Sequence, residues 1–134
     1  MTDKAKDLMR RGAITCNEDM SVRSVAQIMV VNRLRYTVVI NKQCELKGII
    51  SADSILRAYA KDIDSLRAKD ILDTCTFTTT PATPLQEAIA LMKKRKIEHL
   101  IVVGDPPRDR SVLGILHASD IVRSMAQRVK GEGI

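Results

Sequence analysis

Residues 5–9, Ala-Lys-Asp-Leu-Met, return as residues 68–72, Ala-Lys-Asp-Ile-Leu, and a chain that repeats so long a segment has few folds open to it. At the same offset of 63 positions Thr15 meets Thr78, Val22 meets Leu85, Val25 meets Ala88, Met29 meets Met92, Leu34 meets Ile97 and Val39 meets Val102. Three extra residues in the loop 104–110 then raise the offset to 66, so that Gly48-Ile49-Ile50 meets Gly114-Ile115-Leu116, Ile55 meets Ile121 and Arg57 meets Arg123. A Pro- and Asp-rich turn is where a hairpin absorbs such an insertion. The chain therefore reads as two copies of one unit, residues 1–64 and 65–134, joined near 60–67.

Within each copy the apolar period changes in a fixed order. Val22, Val25, Ala26 and Met29 fall at helical spacing, as do Leu85, Ala88, Ile89 and Met92. Thr83 is a good N-cap for the second of these helices, Pro84 suits its first turn, and Gln86 would complete a capping box. Two short β-branched runs follow in each copy, residues 36–40 and 46–50 in the first and 99–103 and 112–116 in the second, and they read as hairpin strands. An amphipathic segment closes each copy, residues 53–61 and 119–129, with Ile55, Leu56 and Tyr59 or Ile121, Val122 and Met125 on its apolar face. The predicted architecture is α+β, two β-α-β-β-α units. A single unit of this size would be marginal alone, since one face of its sheet stays uncovered, so the two are expected to pack through their sheets around a pseudo-twofold axis.

Composition narrows the function. The 134 residues are 45% hydrophobic, enough for one core-bearing module, and no apolar run approaches the ~20 residues that span a bilayer. The charged N-terminal segment carries no signal-peptide pattern, so the expected location is cytoplasmic, without a membrane. Cys16, Cys44 and Cys75 are too few and too far apart for a disulfide framework or a zinc motif, and are expected as reduced, half-buried thiols. With Tyr36, Tyr59 and Phe77 as the aromatic residues, base stacking on single-stranded nucleic acid lacks its physical basis. The net charge of +6 divides evenly, each copy carrying 11 basic and 8 acidic side chains, which suits a phosphate-bearing ligand without singling one out. Lys93-Lys94-Arg95-Lys96 reads better as a solvated helix end than as a nucleic-acid patch, and Met9, Met29, Met92 and Met125 read as core. No phosphate-binding loop, metal motif or nucleophile elbow is present, so neither a catalytic nor a metal-binding residue is assigned.

The doubled lead-in, the helix ending in Met, the apolar strand, and the closing Gly48-Ile49-Ile50-Ser51 or Gly114-Ile115-Leu116-His117 resemble the cystathionine-β-synthase (CBS) domain, and the tandem looks like a Bateman module. The resemblance runs from about Ala5 to Met125. It implies two clefts between the repeats, which in many members bind AMP, ADP, ATP, S-adenosylmethionine or an NAD-type dinucleotide. Carried over residue by residue, the first adenosyl cleft would use Asp120 for the ribose hydroxyls, Arg35 and Tyr36 at the strand entry, Val38 where the family often has proline, and Thr15 on the adenine side. His117 stands where the family has Thr or Ser, and would either meet phosphate when protonated or simply lower the affinity. The second cleft would use Ser51, Ser54, His99, Ile101 and Thr78, and is expected to be weak: Ser54 replaces the aspartate, Asp53 points elsewhere, and Glu98 would repel phosphate.

The implied function is a regulatory sensor of an adenine nucleotide, without catalytic activity and with no required cofactor. A His117–Asp120 dyad is discounted because no motif places a nucleophile beside it. The alternative is a ligand-independent interaction module that dimerises through its helices and regulates a separate enzyme or transporter. The resemblance also implies a homodimer, to which Leu56, Tyr59, Val122 and Met125 would offer leftover apolar surface. Nucleic acid is the least favoured partner.

Overall fold

The computed structural model describes residues 3–104 and 111–127. The inserted loop at 105–110 and the predicted continuation of the last helix to 129 lie outside the described residues. The elements in chain order are α1 (Ala5–Leu8), β1 (Arg10–Arg11), β2 (Thr15–Asn17), α2 (Val22–Val31), β3 (Tyr36–Ile40), β4 (Leu46–Ser51), α3 (Ala52–Arg57), α4 (Ala68–Ile71), β5 (Thr78–Thr79), α5 (Leu85–Arg95), β6 (His99–Val103), β7 (Val112–His117) and α6 (Ala118–Gln127). The fold is α+β, with two sheets and flanking helices. The chain divides into two compact bodies, one holding residues 14–76 and the other joining residues 1–13 to those from Phe77 onward.

In the body of residues 14–76 the sheet order is β2-β3-β4. β2 runs parallel to β3, with Thr15 opposite Val38, and β3 and β4 form an antiparallel hairpin. Helix α2 buries Val25 and Met29 against Cys16, Val39, Ile50 and Ala68. Its start is set by Ser21, whose hydroxyl accepts from the Ser24 N–H at 3.2 Å.

The other body has the order β1-β7-β6-β5, and its core joins Ala5, Leu85, Ala88, Met92, Leu100, Val102, Leu116 and Ile121. The lead-in of each repeat is hooked in the same way. The Ala5 N–H donates to Thr83 O at 2.9 Å and Lys6 N–H to Pro81 O at 3.0 Å, while Ala68 N–H donates to Met20 O at 2.7 Å and Lys69 N–H to Glu18 O at 2.9 Å. The repeated Ala-Lys-Asp now has a physical reading. Ala5 and Ala68 are fully buried. Asp7 and Asp70 accept the backbone N–H of Lys4 (2.8 Å) and Arg67 (2.7 Å), closing the first turns of α1 and α4.

Four local expectations are corrected. Helix α5 starts at Leu85 with Pro84 as a cap that makes no side-chain bond. Pro84 occupies the place that Ser21 holds in the first copy, so the Thr83 hydroxyl falls one residue too early for the cap. It instead ties to the Thr80 N–H (3.3 Å) and hydroxyl (2.9 Å), and no capping box with Gln86 forms. Helix α3 ends at Arg57 rather than at residue 61, because Ala58 and Tyr59 donate to carbonyls three residues back, at 3.0 and 3.1 Å. Met29 and Met92 are core, whereas Met125, one turn along the same face of α6 from buried Ile121, is 64% exposed because the cover over that face ends before it. Cys16 is buried, but Cys44 and Cys75 are exposed, and all three are free thiols.

The glycine of each Gly-apolar-apolar ending provides space. A Cβ on Gly48 would stand 2.5 Å from Asp73 O, and one on Gly114 would overlap Arg10 O. Through that gap β1 pairs with β7, Arg10 opposite Ile115, and Asp73 bridges Ile49.

Candidate ligand-binding site

Asp120 lies in the first turn of α6, which starts directly after the strand end at His117. Its side chain is only 12% exposed, and its carboxylate is held by two arginines. The Arg10 Nε donates to Oδ2 at 2.8 Å and its Nη2 to Oδ1 at 3.0 Å, a two-pronged fork, while Arg123 Nη1 donates to Oδ1 at 3.1 Å. The hydrogen bond from Arg10, aided by the charges of Arg10, His117 and Arg123 and opposed by burial, holds the carboxyl below the usual carboxylate range.

His117 faces His99 across the β6–β7 ladder. Burial first, and then the positive charge of Arg10, push the His117 imidazole down, against the upward pull of Asp120. Burial and then His117 push His99 down as well. Both rings therefore favour the neutral form, and the protonated His117 expected as a phosphate contact is disfavoured.

Each of the two expected clefts draws residues from both bodies. Thr78, His99, Ile101, His117 and Asp120 belong to one, and Thr15, Arg35, Tyr36, Val38, Ser51 and Ser54 to the other. In the latter, Thr15 sits opposite Val38 and Tyr36 opposite Ser51, while Arg35 is exposed just before β3 and its carbonyl accepts the Ala52 N–H at 3.3 Å. Val38 and Ile101, which match in the repeat, are both buried.

Ser54 is buried and committed to its own helix start. The Ser51 hydroxyl accepts its N–H at 3.3 Å and lies 3.2 Å from its hydroxyl. Asp53 turns outward to Arg57 at 3.5 Å. Beside Ser54 a surface cleft of about 400 Å³ is lined by Arg57, Lys61, Asp70 and Asp73. A second cleft, of about 480 Å³, lies in the other body beside Thr78, Thr80, Thr83, Glu87 and Lys94.

Among the described residues no three His, Cys, Asp or Glu side chains gather as metal ligands would, and no helix is long and apolar enough to cross a membrane. The basic run 93–96 closes α5, with Lys96 in the left-handed conformation (φ 56°) and the Arg95 guanidinium 5.3 Å from the Phe77 ring centroid. Arg10 was not singled out by the sequence reasoning. The available signal was a charge reversal, because its repeat mate at offset 63 is Asp73.

The CBS domain family model matches twice, at residues 5–61 and 68–127, and the chain belongs to the CBS domain family. Homoserine O-acetyltransferase of Methanosalsum zhilinae is 28% identical over 115 residues, covering 86% of this chain and 22% of that protein. The chain thus spans about a fifth of the length of this protein and of the L-aspartate semialdehyde sulfurtransferase of Methanocaldococcus jannaschii, which is 25% identical over 118 residues. The CBS domain pair of protein MJ0100, solved with 5′-methylthioadenosine and S-adenosyl-L-methionine, superposes with a TM-score of 0.77 at 24% identity, covering 94% of this chain and 98% of that one. CBSX2, solved with AMP, gives 0.79 at 20% identity, covering 93% and 97%. These likenesses establish the fold. CBS domain pairs are in general regulatory modules without catalysis of their own.

Proposed function

We propose that this chain is a regulatory module that binds an adenine nucleotide or a related adenosyl ligand, with Asp120 receiving the ribose hydroxyls, and that it acts on an enzyme or transporter. The observation that carries this reading is the Asp120 carboxylate, largely shielded from water and kept ionised at the first turn of α6. An ionised carboxylate accepts two hydroxyl hydrogen bonds at once, which matches a vicinal diol. Support also comes from MJ0100 and CBSX2, whose ligands all contain an adenosyl group with that diol. Calorimetry with AMP, ADP, ATP, S-adenosylmethionine and NADH tests it. At least one should bind, and at 100 times its dissociation constant should stabilise the fold by ~2.7 kcal/mol. Asp120→Ala should abolish that binding, and unchanged affinity in the variant would refute the ribose assignment.

A second reading has its own observation. Helix α3, the turn that follows it and helix α6 leave large apolar side chains in water, with Leu56, Tyr59, Val122 and Met125 each at least 63% exposed. We propose that a second copy of the chain covers them. Sedimentation should show a dimer that Tyr59→Lys and Met125→Lys dissociate, and a monomeric wild type would overturn this.

A further inference from the structure

We propose that Arg10 is an internal latch on the ligand site, occupying the face of Asp120 that a ribose diol needs and swinging aside when the ligand enters. The inference rests on the reading of Asp120 as the ribose acceptor. A carboxylate presents about four lone-pair positions, two facing outward between its oxygens and one on the flank of each. The Arg10 fork bonds both oxygens, at 2.8 and 3.0 Å, and so takes the paired positions. Arg123 bonds Oδ1 alone, at 3.1 Å. A diol that donates one hydroxyl to each oxygen needs the same paired positions, so guanidinium and ribose exclude each other.

The fork is not what holds β1 on its sheet. The other body makes the same bridge without it. Ile49 and Asp73, the repeat mates of Ile115 and Arg10, exchange backbone hydrogen bonds at 2.9 and 2.8 Å, and Ser54 stands where Asp120 does. Acid and arginine are thus present together in one body and missing together in the other. On release the Arg10 side chain, 59% exposed, is rehydrated by water, and the diol takes its place on the shielded carboxylate.

The test uses 5′-methylthioadenosine, which has the diol and carries no phosphate, so that any attraction of Arg10 for an anion does not enter. Calorimetry on the full chain should give about fivefold tighter binding to Arg10→Ala than to wild type, the factor that about 1 kcal/mol of released ion pair corresponds to. Arg10→Lys should fall between them, because an ammonium cannot span both oxygens. Thermal melts of both variants check that they are folded, and Arg10→Lys keeps the charge if the alanine variant is impaired. Binding that is lost in Asp120→Ala but equal or weaker in Arg10→Ala and Arg10→Lys overturns the latch and leaves the ribose reading standing. Binding that survives Asp120→Ala overturns both, and 5′-methylthioadenosine binding to none of the proteins, Arg10→Ala included, overturns the latch.

Discussion

Replacing Gly114 by alanine tests whether the Gly-apolar-apolar ending exists to let another stretch of backbone approach. Neither Gly114 nor Gly48 has a left-handed φ, so an alanine meets no conformational strain at either position. In open space the exchange would stabilise the protein by ~0.4–1 kcal/mol, because alanine has fewer unfolded conformations to lose. The structure reverses that sign. The added methyl on Gly114 would overlap Arg10 O and stand 3.2 Å from Arg10 C and 3.4 Å from Met9 Sδ, and two of these three atoms are backbone that cannot rotate away. β1 must then lift from β7, and overpacking of this kind costs about 1–3 kcal/mol. At about 4 °C per kcal/mol for a chain of this size, the melting temperature should drop by about 4–12 °C. Gly48→Ala should behave alike, its methyl standing 2.5 Å from Asp73 O and 2.8 Å from Leu72 Cδ1. Thermal unfolding followed by circular dichroism, with urea midpoints as a check, measures both. A melting temperature at or above wild type in Gly114→Ala would show that the gap is not needed.

The histidine ladder gives a pH dependence. Both His99 and His117 are lowered in the folded state, chiefly by burial, so below the ordinary histidine range the unfolded chain binds more protons and stability falls as pH drops. Urea midpoints should decline from pH 7.5 to pH 5, and the double variant His99→Gln/His117→Gln should flatten that slope; an equal slope would refute the reading. Leu100→Ala and Ile50→Ala each empty a fully buried position in one of the two cores and should each cost about 2–5 kcal/mol in urea unfolding, whereas exposed Val31→Ala should change little.

The β-α-β-β-α order of each repeat was legible in the chain because it depends on local periodicity, whereas the short helices α1 and α4 and the two-residue strand β1 were not foreseen. β3 and β6 begin and end where the β-branched runs do. The start of α5 was misread because capping depends on which residue turns out of the helix, and Pro84 takes that place. Met125 was misread for a related reason, since spacing defines an apolar face but not how much of it neighbouring elements cover. Asp120 was singled out through the resemblance to the CBS domain, whereas its two arginine partners were not. Arg123 lies one helical turn away, but Arg10 comes from 110 positions earlier.

By itself the sequence determined a doubled α+β unit, because repetition and hydrophobic period are properties of the chain alone, and its motifs carried the resemblance to the CBS domain. Only the tertiary structure decided that the lead-in of the first repeat folds with the body that begins at Phe77, and that Arg10 therefore arrives at Asp120. Both outcomes turn on backbone pairings between distant segments, Arg10 with Ile115 and Ala5 with Thr83, which no local pattern encodes.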